Sequence, residues 1–259
     1  MSGFTLQPFP AERGPVLDAG RLAARRHLFY GFMEADVTLA RQALQAHKAR
    51  TGETLSFTAF LVGCLGRAID QHKLVHAYRD WRGRLVLFDE VDVVTLIETE
   101  KGGVALPHIL RAANRKSFLE IHQEIRSIQA RPKRSPQKNR LTSIGVHAPA
   151  FVRDLFYWAV RRDPRWIKQI MGTTLVTSVG MFGGGSFYGL PFLPFHTFGL
   201  TVGGSAEKPG VVAGEIQIRE ILCLTLAFDH DIVDGAPAVR FGQELKRLVE
   251  SAAGLEAFL

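Results

Sequence analysis

Only two cysteines, Cys64 and Cys223, occur in 259 residues, and both sit in apolar runs. That scarcity argues against a disulfide framework or a cysteine metal site, and points to two buried thiols in a reducing cytoplasm. No stretch reaches the roughly 18 consecutive apolar residues of a spanning helix. The N-terminus, Met1-Ser2-Gly3-Phe4-Thr5-Leu6-Gln7-Pro8, lacks a basic segment followed by an apolar run, so no signal peptide is expected. There is no internal repeat. Hydrophobic residues at 46% and charged residues at 22% are ordinary for a globular chain able to bury a full core.

The net charge of +7 is unevenly spread. Ten Lys or Arg and two acids fall between Arg131 and Lys168, so the rest of the chain is close to neutral. A nucleic-acid-binding domain more often spreads its charge over a folded face, and nucleic acid is not an expected partner.

Residues 1–26, with Pro8, Pro10 and Pro15, read as an irregular arm. His27 to Val37 reads as a strand and Leu39 to Arg50 as a helix stopped at Thr51-Gly52. Ser56 is placed to cap a buried helix from Phe57 to Lys73. Arg84–Phe88, Val91–Glu98 and Val104–Ile109 read as strands, the last two around a Lys101-Gly102-Gly103 turn, with Pro107 marking an edge or a strand end. Ser117 and Glu120 form a capping box before a helix to Ala130. In the basic segment, 131–171, helical spacing covers Ala150–Val160 and Pro164–Ile170. Thr173–Ser178 and Phe198–Val202 read as strands, and Val212-Ala213-Gly214-Glu215 as a hairpin turn. These elements favour an α/β (α+β sandwich) fold, a mixed sheet flanked by helices.

The chemistry concentrates near the C-terminus. The apolar run Ile221–Ala227 reads as a buried strand, Val239–Val249 as an amphipathic helix, and Phe228-Asp229-His230-Asp231-Ile232-Val233-Asp234-Gly235 lies between them. A histidine at a strand-to-helix turn can be held in one orientation, as a general base requires. Asp234 is placed to cap the helix and so to organise the loop.

The string Thr225-Leu226-Ala227-Phe228-Asp229-His230-Asp231-Ile232-Val233-Asp234-Gly235-Ala236 resembles the acyltransferase family of 2-oxo acid dehydrogenase complexes, which has the chloramphenicol acetyltransferase fold. Leu175–Gly183 resembles the family's segment ending Leu-Gly-Met-Phe-Gly. Leu200-Thr201-Val202-Gly203-Gly204 with Lys208-Pro209, and Asp92 to Pro107, resemble two more. The likeness covers about 25–130 and 172–259. It implies an arm over 1–26 and a catalytic domain over 27–259, interrupted by a basic insertion at about 131–171.

The resemblance implies a homotrimer with sites at subunit interfaces. In each, His230 takes a proton from a thiol that attacks an acyl-coenzyme A thioester. Thr177, or the adjacent Ser178, donates a hydrogen bond to the oxyanion from a neighbouring subunit. The acceptor is a dihydrolipoyl-type thiol or other small group; no metal is implied. Lipoyl and peripheral-subunit-binding domains have no room in this chain; whether a lipoyl-domain protein acts in trans is left open by the sequence.

Asp231 stands where the family usually has Arg, and an adjacent carboxylate favours a protonated histidine. The insertion is open to three readings: packing onto the trimer, a lid or partner site that attracts coenzyme A, or peripheral membrane contact through 148–171. The apolar end, Gly254 to Leu259, allows a cage of trimers. The alternative to an enzyme is a non-catalytic scaffold that keeps the trimer or cage and binds through the insertion.

Overall fold

The apolar run that ends at Phe228 lies at the centre of a six-stranded sheet. The computed structural model describes residues 3–10, 13–97, 106–130, 148–180 and 185–258. In chain order the strands are β1 (Leu28–Asp36), a small separate hairpin of β2 (Tyr78–Arg79) and β3 (Leu85–Val86), β4 (Val93–Ile97), β5 (Leu106–Leu110), β6 (Thr174–Ser178), β7 (Phe198–Val212) and β8 (Glu215–Asp229). The large sheet has the order β1-β8-β7-β6-β4-β5. Strand β6 runs parallel to both β4 and β7; the other pairs are antiparallel. From Leu222 to Asp229, β8 is buried on both faces, which is why its sequence is continuously apolar rather than alternating.

Helices α1 (Gly14–Ala23), α2 (Thr38–Thr51), α3 (Phe57–Gln71), α4 (Phe118–Ala130), α5 (Ala150–Arg162), α6 (Pro164–Met171) and α7 (Gly235–Glu250) complete the described residues, with short 3₁₀ turns. The main core joins α2, α3, α4 and α7 to one sheet face. Within it the Phe198, Phe228 and Phe241 rings meet tilted or edge to face, with centroids 4.9–6.0 Å apart. Burial of each ring contributes about 2–3 kcal/mol. This cluster lies directly beneath the turn that carries His230.

Local signals mostly act as read. The Ser56 Oγ accepts from the Ala59 amide at 3.2 Å. Ser117 and Glu120 bond reciprocally, at 2.7 and 3.3 Å. Gly52 ends α2 at φ 76°, where glycine costs least. Pro107 lies on the edge strand β5; the Lys101-Gly102-Gly103 turn falls outside the described residues. Ala213 and Gly214, both at positive φ, turn the β7–β8 hairpin. Cys64 and Cys223 are buried free thiols, and burial pushes Cys64 up to about 12.

Three expectations change. The arm is irregular only in part: residues 3–10 carry no regular element, but α1 follows because Pro15 suits the first helical turn, which needs no amide there. Strand β3 is only two residues long. Strand β7 runs ten residues past Val202, beyond an irregularity at Gly203-Gly204. Helix α7 begins at Gly235, directly after the Asp234 cap position, and Pro237 falls in its first turn, where it breaks no hydrogen bond.

The described part of the insertion, 148–171, is anchored through both of its helices. Asp18 of α1 is 1% exposed and bonded to Arg153 of α5, which holds its carboxyl below the usual range. Val160 and Ile167 join Tyr78, Phe88 and Phe195 in a second apolar cluster against which Leu22 packs. Asp92, fully buried, accepts from Arg111 at 2.7 Å and from Lys168 of α6 at 3.0 Å. At the other end of the chain Phe258 packs on His47 and Phe118 of the same chain; Leu259 lies outside the described residues.

Candidate active site

His230 stands one residue past the end of β8, and every neighbour of its backbone is tied down. Its amide donates to the His27 carbonyl at 2.8 Å. The Asp229 carbonyl accepts from the Ile232 and Val233 amides at 3.1 and 3.0 Å, and the Asp229 amide donates to Thr197 O at 2.9 Å. Val233 is fully buried and plugs the turn into the core. The Asp229 carboxylate, also buried, accepts from Arg26 Nη2 at 2.5 Å, and Arg26 Nη1 donates to Phe195 O at 3.0 Å. A buried pair of this kind fixes the backbone that carries the histidine, because breaking it strands a charge.

The imidazole itself stays open. Its side chain is 53% exposed, its ring lies 4.7 Å from that of Phe29, and among the described residues no hydrogen bond holds it. Asp234 Oδ1 is 3.7 Å from His230 Nδ1, beyond hydrogen-bond length, and its side chain is 84% exposed. Asp234 occupies the cap position of α7 without a side-chain bond to the helix. Loop anchoring falls instead to Asp229, Arg26 and His27.

Asp231 does not aim at His230. Its Oδ1 lies 2.8 Å from His27 Nδ1, and this bond raises the His27 imidazole above its ordinary value. The substitution of Asp for the family's Arg thus has its own partner at the start of β1. Arg26 and His27 escape a sequence reading because they look like the basic end of an arm. Only the acid beside the histidine, Asp229, hints that a cation must meet it.

Thr177 lies elsewhere. It pairs in register with Thr201 of β7, which pairs with Thr225 of β8, so three threonines form a row across the sheet. The neighbours Val176, Leu200, Leu224 and Leu226 belong to the helix-covered core, so the threonine row takes the opposite face. The Thr201 and Thr225 hydroxyls are buried without a partner among the described residues. Ser178 pairs with Val202 and shares the helix-covered face. A Cβ on Gly180 would collide with the Gly203 carbonyl, so the chain beyond β6 lies tight against β7.

Thr177 and His230 of one chain cannot act on one carbonyl. From Thr225 to His230 is about 17 Å along β8, and Thr177 is two strands or about 10 Å across. Among the described residues no group of three or more His, Cys, Asp or Glu is placed to hold a metal ion.

Comparison with known proteins agrees with the sequence motifs. The family model described as 2-oxoacid dehydrogenases acyltransferase (catalytic domain) matches residues 24–140 and 167–257. The dihydrolipoyllysine-residue acetyltransferase component of the pyruvate dehydrogenase complex of Mycoplasma genitalium is 28% identical over 203 residues, 78% of this chain and 45% of that protein. The chain thus spans less than half the length of this curated relative. The dihydrolipoamide acetyltransferase of Azotobacter vinelandii superposes with a TM-score of 0.71 at 21% identity, covering 97% of this chain and 94% of that one. Chloramphenicol acetyltransferase superposes at 0.53 and 16% identity, over 94% and 99% of the two chains. The mixed sheet with its helices has the chloramphenicol acetyltransferase-like fold, and the chain belongs to the 2-oxoacid dehydrogenase acyltransferase catalytic-domain family.

Proposed function

We propose that the chain is an acyltransferase that moves an acyl group between coenzyme A and a dihydrolipoyl-type thiol or other small acceptor, in a cytoplasmic setting. The observation that carries this reading is the His230 turn: a rigid backbone, anchored by Arg26–Asp229 and His27–Asp231, presenting an open imidazole. The Azotobacter relative has a serine, a histidine and an asparagine studied for their roles in its catalytic mechanism, the last two spaced as His230 and Asp234 are.

In the proposed reaction His230 removes the proton from the acceptor thiol, and the thiolate attacks the thioester carbonyl. The carbonyl oxygen becomes an oxyanion that accepts a hydrogen bond from Thr177. Collapse breaks the bond to coenzyme A, whose sulfur takes the proton back from the imidazolium. Because Thr177 and His230 are far apart within one chain, each site draws them from two chains. The homotrimer implied by the family resemblance supplies that arrangement, and a lipoyl domain supplies the thiol.

Acyl-coenzyme A donors offered with dihydrolipoamide should give acyl-dihydrolipoamide; no product from any donor would overturn the reading. Thr177→Val should lower kcat about 10²-fold with KM little changed. Ser178→Ala, on the other sheet face, should have a far smaller effect, and the reverse order would move the oxyanion role to Ser178.

A further inference from the structure

The side of α5 turned away from the protein is the apolar one. Its inward side carries Arg153, bonded to Asp18; Tyr157, 5.5 Å from Phe195; and buried Val160. Diametrically opposite, at the spacing i, i+4, i+7, i+11, come Phe151, Leu155, Trp158 and Arg162. Phe151 is 73%, Leu155 63% and Trp158 56% exposed. A surface helix of a water-soluble domain has this pattern the other way round.

The stripe continues onto neighbouring elements. The Arg162 guanidinium lies 4.6 Å from the Trp158 ring centroid and 5.6 Å from that of Trp81, in the β2–β3 hairpin. Trp81 and Trp166 are themselves largely exposed. Arg161 and Arg162 form no salt bridge among the described residues, and Arg82 lies over the Trp81 ring. The family match stops at 140 and resumes at 167, so α5 lies outside it.

We propose that this face, formed by α5, α6 and the β2–β3 hairpin, docks on an anionic lipid bilayer. Exposed Phe and Leu suit the acyl boundary, Trp suits the headgroup level, and guanidiniums with no carboxylate partner suit anionic headgroups. A two-fold contact through the stripe fits less well, since it brings Arg162 against its own counterpart; a three-fold contact would join the stripe to a different surface, and oligomeric mass tells it from lipid docking. No helix among the described residues is long and apolar enough to cross a membrane, so the contact is peripheral.

The test is co-sedimentation of the full chain with vesicles of phosphatidylcholine alone or with roughly one quarter phosphatidylglycerol, at about 0.1 M and about 1 M salt. Binding should require phosphatidylglycerol and weaken at high salt. Leu155→Ser with Trp158→Ser should lower the partition coefficient at least ~10-fold. Arg82→Gln with Arg162→Gln, both exposed and outside the core, should lower it about 10-fold on anionic vesicles alone, and decides the matter if the serine pair misfolds. Failure to bind anionic vesicles, or binding unchanged in the glutamine pair, would overturn the proposal. So would a serine pair that changes oligomeric mass in sedimentation velocity, since the stripe would then be a contact between copies.

Discussion

His230→Ala is expected to lower acyl transfer about 10²–10⁴-fold while leaving the thermal midpoint nearly unchanged. The two halves of that expectation come from different observations. The rate loss follows because no other imidazole shares the turn except His27, whose Nδ1 is occupied by Asp231. The intact fold follows because the ring is half exposed and the turn is held by groups that alanine retains: the amide to His27, the Asp229 bonds and buried Val233. Turnover near that of the wild type would remove His230 from the mechanism.

Acidification from pH 6.5 to 4 is expected to destabilise the fold steeply. His76 and His196 are buried, and burial lowers each from 6.5 to about 4. His196 Nε2 donates to the Met171 carbonyl at 2.9 Å, while its Nδ1 has no partner among the described residues. His76 Nδ1 lies 3.1 Å from Thr173 Oγ1. In this window the unfolded chain binds protons that the folded chain refuses, so stability falls as pH falls. Each histidine costs roughly 3 kcal/mol by pH 4. The lowered carboxyl of Asp18 adds its loss only at more acid pH, so the histidines dominate the window. Thermal melts of the wild type and of His196→Gln should diverge in slope below pH 6.5; parallel lines would show that His196 is not the source. Both histidines flank Gly172, where the insertion joins the sheet, so local loosening of α6 should precede global unfolding in hydrogen exchange.

Much of this was legible in the residues. Short-range rules acted as read at Ser56, Ser117–Glu120, Gly52 and the Ala213-Gly214 turn, because each depends on neighbours within a few positions. The His230 turn was legible because an apolar run, a polar turn and an amphipathic helix follow one another in sequence. Long-range pairing was not. The Arg26–Asp229 bond joins residues 203 positions apart, and the Asp18–Arg153 bond that turns an expected arm into a packed helix spans 135. Asp231 shows the same limit: from sequence it is the acid beside His230, yet its carboxylate bonds to His27, which lies across the β1–β8 pair. Thr177 and Ser178 are adjacent in sequence, but strand alternation sends them to opposite faces.

In the proposed site His230 of one chain and Thr177 of another act on one carbonyl. The direct measurement is complementation: His230→Ala and Thr177→Val chains are unfolded, mixed in equal amounts and refolded, and transfer is compared with each variant refolded alone. Random mixing in a trimer should restore wild-type sites to about one quarter of the total, far above either variant by itself. Activity no greater than the mean of the two separate variants would contradict a site shared between chains.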